Sequence, residues 1–157
     1  MEIVSGPWNR DRVEAWLAAA RIPLRLAVLA PRGPLVVSLW FRFDGESLWC
    51  ATRAGADVVS YVGADPRVGI EVAGDLPPYR GVRGTGRASL VPEAGAEVLE
   101  QLLDRYLDER NEALAERLRA EARTGEVALR VTALRLTSWD FSRRMRAQDG
   151  DVVLPPP

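Results

Sequence analysis

The sequence predicts a mainly β protein with flanking helices, built as an antiparallel barrel rather than a doubly wound sheet. Three observations carry this. Apolar and polar residues alternate with a period of two through short runs, most clearly from Leu35 to Phe43. Turn signals, Pro31-Arg32-Gly33-Pro34 and Asp44-Gly45, join those runs at hairpin spacing. Helices of the kind needed to cross between parallel strands are few.

The predicted order is helix, three strands, short helix, two strands, helical region, strand. Asn9 is a good N-cap, with Trp8 before it and Val13 at the fourth helical position, the spacing of a hydrophobic staple. Val13, Trp16, Leu17 and Ala20 then give one apolar helix face, which Ile22-Pro23 ends. Leu26 to Ala30 is the first strand. Leu35 to Phe43 reads as one continuous second strand, with Val36, Ser38, Trp40 and Arg42 on its non-core face. Ser47 to Thr52 pairs with it through Asp44-Gly45. Arg53 to Asp57 is a loop, and Val58 to Gly63 is a short helix closed by Asp65-Pro66.

Arg67 to Ala73 and Tyr79 to Val91 are strands. In the second of these, Val82, Gly84, Gly86, Ala88 and Leu90 share one face, and Arg83, Thr85, Arg87 and Ser89 the other. The glycines leave room for close backbone approach. After Pro92, Leu99, Leu102, Leu103, Tyr106 and Leu107 form one apolar stripe and Leu114 and Leu118 an offset one, which predicts two helices or a kink near Asn111. The charged run from Asp104 to Arg123 is a solvated helix face. Val127 to Leu136 closes the barrel and continues into Ser138-Trp139-Asp140-Phe141. Residues 1–148 are expected to form one domain, and 149–157 a C-terminal tail.

Composition removes more chemistry than any motif supplies. The 157 residues are 47% apolar with 21 basic and 22 acidic side chains, and a net charge of −1 gives no reason to expect nucleic acid or an anionic membrane as partner. No apolar run approaches the ~20 residues that span a bilayer, and Met1 to Arg12 has no signal-peptide core. A cytoplasmic location is expected. One cysteine, Cys50, rules out an intrachain disulfide and a cysteine-based zinc site, and it reads as a small core residue. The absence of histidine removes Ser-His-Asp catalysis, His-ligated metals and an axial haem histidine. Every basic residue is arginine, so Schiff-base chemistry and a P-loop lysine are excluded as well. A chain this short of general bases uses carboxylates or leaves the chemistry to a cofactor.

Ordered segments of the chain are similar to one family. The stretch from Ile22 to Thr52, the Asp65-Pro66-Arg67-Val68 step, the strand Tyr79 to Val91, the helix segment Leu102 to Asp108 and the closing strand with Trp139-Asp140 resemble the pyridoxamine 5′-phosphate oxidase-like split β-barrels. The resemblance implies a homodimer that binds FMN or the deazaflavin coenzyme F420 in clefts between subunits. Histidine-ligated haem, which some such proteins bind, is not expected here, and neither is a metal. A basic grip on the cofactor phosphate is implied after the third strand, where this chain reads Ala56-Asp57-Val58. An acid and a valine at that place remove charge-assisted hydrogen bonds of ~1.5–3 kcal/mol each.

The cofactor-binding candidates that follow are Ser38, Trp40, Thr52, Arg53, Ala54, Gly55, Asp57, Val58, Arg83 and Arg87. Arg53 is either a phosphate ligand or a surface loop residue. Trp40 either lines the cofactor cleft or packs at a dimer interface. Arg83 and Arg87 either meet the anion or form a solvated face paired with Glu71. Gly84-Thr85-Gly86 is no dinucleotide loop, since it lacks a third glycine and opens no helix. The expected function is a flavin- or deazaflavin-dependent oxidoreductase, moving hydride to or from a small unsaturated substrate with no catalytic side chain assigned. The alternative is a non-catalytic split-barrel dimer that has lost the phosphate site and binds another ligand or acts as a carrier.

Overall fold

The structure is a computed structural model describing residues 1–122 and 125–145. The tail at 149–157, the last residues of the predicted domain and Arg123 of the charged run lie outside the described residues. Strand β1 (Glu2–Ser5) precedes helix α1 (Arg10–Ala19). Strands β2 (Leu24–Ala30), β3 (Gly33–Leu39), β4 (Arg42–Phe43) and β5 (Leu48–Arg53) follow, then α2 (Asp57–Ala64), β6 (Arg67–Ala73) and β7 (Arg80–Val91). Helices α3 (Gly95–Tyr106) and α4 (Glu112–Ala122) lead to the closing strand β8 (Glu126–Asp140).

The strands form one sheet in the order β3-β2-β6-β7-β8-β5-β4, with β1 added beside β8. All neighbours along that path are antiparallel, and β1 alone runs parallel to its partner. The result is a mainly antiparallel sheet with four helices, as the alternating runs predict. At the start of α1 the staple is in place. The Asn9 side chain accepts from the Arg12 amide at 3.0 Å, and Trp8 and Val13 are both buried. The predicted break in the helical region separates α3 from α4.

Two expectations are corrected. The predicted order begins with a helix, whereas a strand, β1, precedes it, its Glu2 and Ile3 aligned with Arg135 and Leu136. That pairing joins opposite ends of the chain and has no local signal. The predicted strand from Leu35 to Phe43 is interrupted at Trp40 and Phe41. There the Phe41 amide donates to the Tyr106 hydroxyl at 3.3 Å, and that hydroxyl donates to the Ile22 carbonyl at 3.1 Å. A side chain from α3 thus replaces the missing strand partner.

Inward residues of β2, β5, β6, β7 and β8 make the main core with Val13 and Leu17 of α1 and Val58 and Val62 of α2. Cys50 lies in this core, fully buried. A second core forms on the other face of β5 and β8, where Val98 and Leu102 of α3 pack against Ala128, Trp40, Trp49 and Ala51. Leu99, Leu103 and Ala115 extend it to α4. The close approach expected at the β7 glycines is made by β8. A Cβ on Gly84 would stand 1.9 Å from the Arg135 carbonyl oxygen.

Candidate functional site

Alternation along β5 sets up the candidate site. Leu48 and Cys50 point into the main core, so Trp49, Ala51 and Arg53 point toward α3. On β8 the register places Ala128 opposite Ala51 and Glu126 opposite Arg53. Where the two helices diverge from the strand ends, they leave a cleft of about 410 Å³. Leu39, Trp40, Leu99, Leu102 and Leu118 form its apolar walls, and Ser38, Thr52, Arg53, Glu121 and Glu126 its polar groups. The Trp40 indole is fixed by stacking on Tyr106, centroids 5.0 Å apart and planes 7° apart.

Four sequence candidates, Ser38, Trp40, Thr52 and Arg53, meet in this cleft. Trp40 lines the cleft within the single chain. Arg53 is the last residue of β5 rather than a loop residue, and it is exposed. Ala54 and Gly55 form the turn into α2, tied by the Ala54 amide to the Gly125 carbonyl at 3.0 Å. Asp57 is exposed on the first turn of α2. Val58 is only 5% exposed and belongs to the core, because the first turn of α2 sets it over Val62 on the inward face.

Arg83 and Arg87 do not reach the cleft. They stand on the outer face of β7, where Arg83 opposes Glu71 in register and lies 5.4 Å from the Trp139 ring centroid. Glu71 instead forms an ion pair with Arg25, at 3.7 Å. Arg25, Ala27, Val36, Glu71, Arg83 and Thr85 are among the residues around a separate, open hollow of about 590 Å³ on that face.

Sequence reasoning missed the acidic side of the cleft. Glu126 is half-buried, and burial raises its carboxyl above the ordinary range, with Arg53 pulling it down and Glu121 pushing it up. The cleft therefore carries one guanidinium against two carboxylates. Its apolar slot with the fixed indole fits a flat aromatic ring. Its phosphate-binding capacity, as one chain supplies it, is Arg53 alone with Glu126 facing it. A planar ring fits the residues present; a strong grip on a phosphate arm is not provided within the single chain. Among the described residues, no group of three His, Cys, Asp or Glu side chains is placed to hold a metal ion, and no helix is long and apolar enough to cross a membrane.

Comparison with known proteins bears on this geometry. A family profile described as pyridoxamine 5′-phosphate oxidase matches residues 9–144. No curated protein matches the chain. Among solved structures, the conserved hypothetical protein Rv2991 from Mycobacterium tuberculosis is 25% identical, with a TM-score of 0.70 over 94% of this chain and 93% of that one. An F420 reductase is 24% identical, with a TM-score of 0.62 over 80% and 94%. HutZ, the heme storage protein from Vibrio cholerae, is 18% identical, with a TM-score of 0.57 over 78% of this chain and 88% of that one, a likeness of fold.

Proposed function

This chain belongs to the pyridoxamine 5′-phosphate oxidase family, and within it we propose a homodimeric oxidoreductase that binds FMN or coenzyme F420 in the cleft beside Trp40. The observation that carries the reading is the cleft itself. Its apolar walls and stacked indole suit a planar ring, and an exposed guanidinium stands at its edge. The fold shared with an F420 reductase is compatible with a deazaflavin, and the fold shared with HutZ does not extend to histidine-ligated haem, since the chain has no histidine.

In this reading Leu99, Leu102 and Leu118 exclude water from one side of the ring, and Trp40 presents an indole held by Tyr106. Ser38 and Thr52 offer hydroxyls to ring polar atoms, and Arg53 meets negative charge with a planar, fixed-charge fork. When bound, such a cofactor supplies hydride chemistry toward a small unsaturated substrate. The chain supplies position, dryness and charge.

The missing cations give the dimer a role. Val36 lines the outer hollow and Ser38 the cleft, two residues apart on the same side of β3. A second copy seated on the outer face would carry its own arginine-bearing strand toward the cleft mouth, so Arg83 and Arg87 serve the site across the interface. Titration calorimetry with FMN and with F420 tests the reading. At least one is expected to bind in the micromolar range, and Arg53→Ala to weaken it by about tenfold or more. Absence of heat with both overturns it.

One set of observations favours a second reading, a non-catalytic dimer with another ligand in the cleft: Glu126 faces Arg53, and Val58 is inside the core. That reading predicts a protein without flavin-dependent turnover that binds an uncharged or cationic planar compound. Turnover by the wild-type chain ends it.

A further inference from the structure

We propose that a hollow at the other end of β8 binds a small phosphate-bearing anion. The hollow, of about 520 Å³, lies between the start of α1, the start of β7 and the residues after β8. Trp8, Arg12, Arg80, Asp140, Ser142 and Arg143 line it. Three arginines therefore line a space that contains one carboxylate.

That carboxylate is already engaged. Asp140 accepts from the Trp8 indole at 3.2 Å, from Arg12 at 3.0 Å and from the Ser142 amide at 2.9 Å. By strand register Asp140 is the direct neighbour of Arg80. Its oxygens are nevertheless turned to the other three donors, and among the described residues neither Arg80 nor Arg143 has a carboxylate within ion-pair distance. The Arg80 guanidinium rests 5.7 Å from the Trp16 ring centroid, and Arg12 lies 4.9 Å from that of Trp8. Stacking holds the forks in place without neutralising them.

Like charges gathered in one concavity repel. A phosphate group resolves it, because its oxygens match the planar guanidinium fork two at a time. The hollow is larger than a bare phosphate, and its indole wall offers apolar surface to an organic body. A phosphate ester fits both features. The hollow shares no lining residue with the cleft at Arg53, so this inference stands apart from the proposed function.

The test is calorimetry of the full chain at low salt, with inorganic pyrophosphate as the probe. One site of submillimolar affinity is expected. Arg80→Gln and Arg143→Gln should each weaken it about fivefold or more, and the double variant should abolish it. Arg110→Gln, at the α3–α4 connection, and Arg53→Ala, in the cleft, should leave it unchanged. Circular dichroism of each variant establishes that it is folded. No heat with the wild-type chain overturns the proposal, as does undiminished binding by the folded double variant. Equal weakening by Arg110→Gln or Arg53→Ala also overturns it, since binding would then reflect overall charge or the other site.

Discussion

Arg53 and Glu126 face each other across β5 and β8, and the ligand preference of the cleft turns on that pair. Burial raises the Glu126 carboxyl, so the native chain takes up this proton before the unfolded chain does. Its stabilising contribution is therefore present at low pH and is lost as pH rises through the raised value. We predict that Glu126→Gln gains stability relative to wild type as pH rises from 4 to 7 in urea titrations, and that it binds FMN several-fold more tightly. A stability difference constant across that range would contradict the assignment. Asp65 runs the other way. Its contacts with Arg67 hold it at about 2, so what it contributes is present at neutral pH and is lost as acid approaches that value. Burial pushes the Cys50 thiol up to about 12. An aromatic disulfide reagent at pH 8 should leave it unmodified in the native chain and react with it fully in urea. The part of this site legible in the residues themselves was Ser38 and Trp40, which sit on a run whose alternation fixes their face; Thr52 and Arg53 were candidates through the resemblance, and Arg53 as a loop residue rather than the strand end it is. Glu126 was not, because its meeting with Arg53 depends on a pairing distant in sequence. Leu99 and Leu102 read as core, which is also what they are on their strand side.

At the scale of elements, α3 does more than cover the sheet. Arg105 donates to the carbonyls of Ala18 at 2.7 Å and Ala20 at 2.6 Å, closing the end of α1, while Tyr106 bridges the β3–β4 interruption. Tyr106→Phe leaves the Phe41 amide and the Ile22 carbonyl without that partner, and we predict a loss of about 1–2 kcal/mol in urea denaturation. No measurable change would show that water replaces the hydroxyl without cost. The same contact explains why the sequence pattern ran through the interruption: the alternation persists there while the hydrogen-bond partner changes from strand to side chain. The β6 boundaries and the α3–α4 break were legible because prolines and apolar stripes mark them locally. On β7, Gly84 is a packing requirement. Gly84→Ala forces a methyl against the Arg135 carbonyl and should cost about 3 kcal/mol or prevent folding, read as a lowered denaturation midpoint or loss of soluble protein.

At the scale of the molecule, the alternating runs and hairpin turns identified the antiparallel architecture, whereas β1 and the relation between the two hollows came only with the assembled sheet. Val36, 60% exposed, and Leu29, 51% exposed, stand on the outer face of β2 and β3. We predict a dimer by light scattering, and a folded monomer with weakened cofactor binding for Val36→Arg; a wild-type monomer would remove the interface and the cations it brings. The most direct measurement is the absorption spectrum and mass of the compound that co-purifies from a host producing both FMN and F420. The account predicts a coloured protein carrying one of the two, with colour lost in Arg53→Ala. A colourless wild-type protein that stays colourless after both cofactors are added would contradict it.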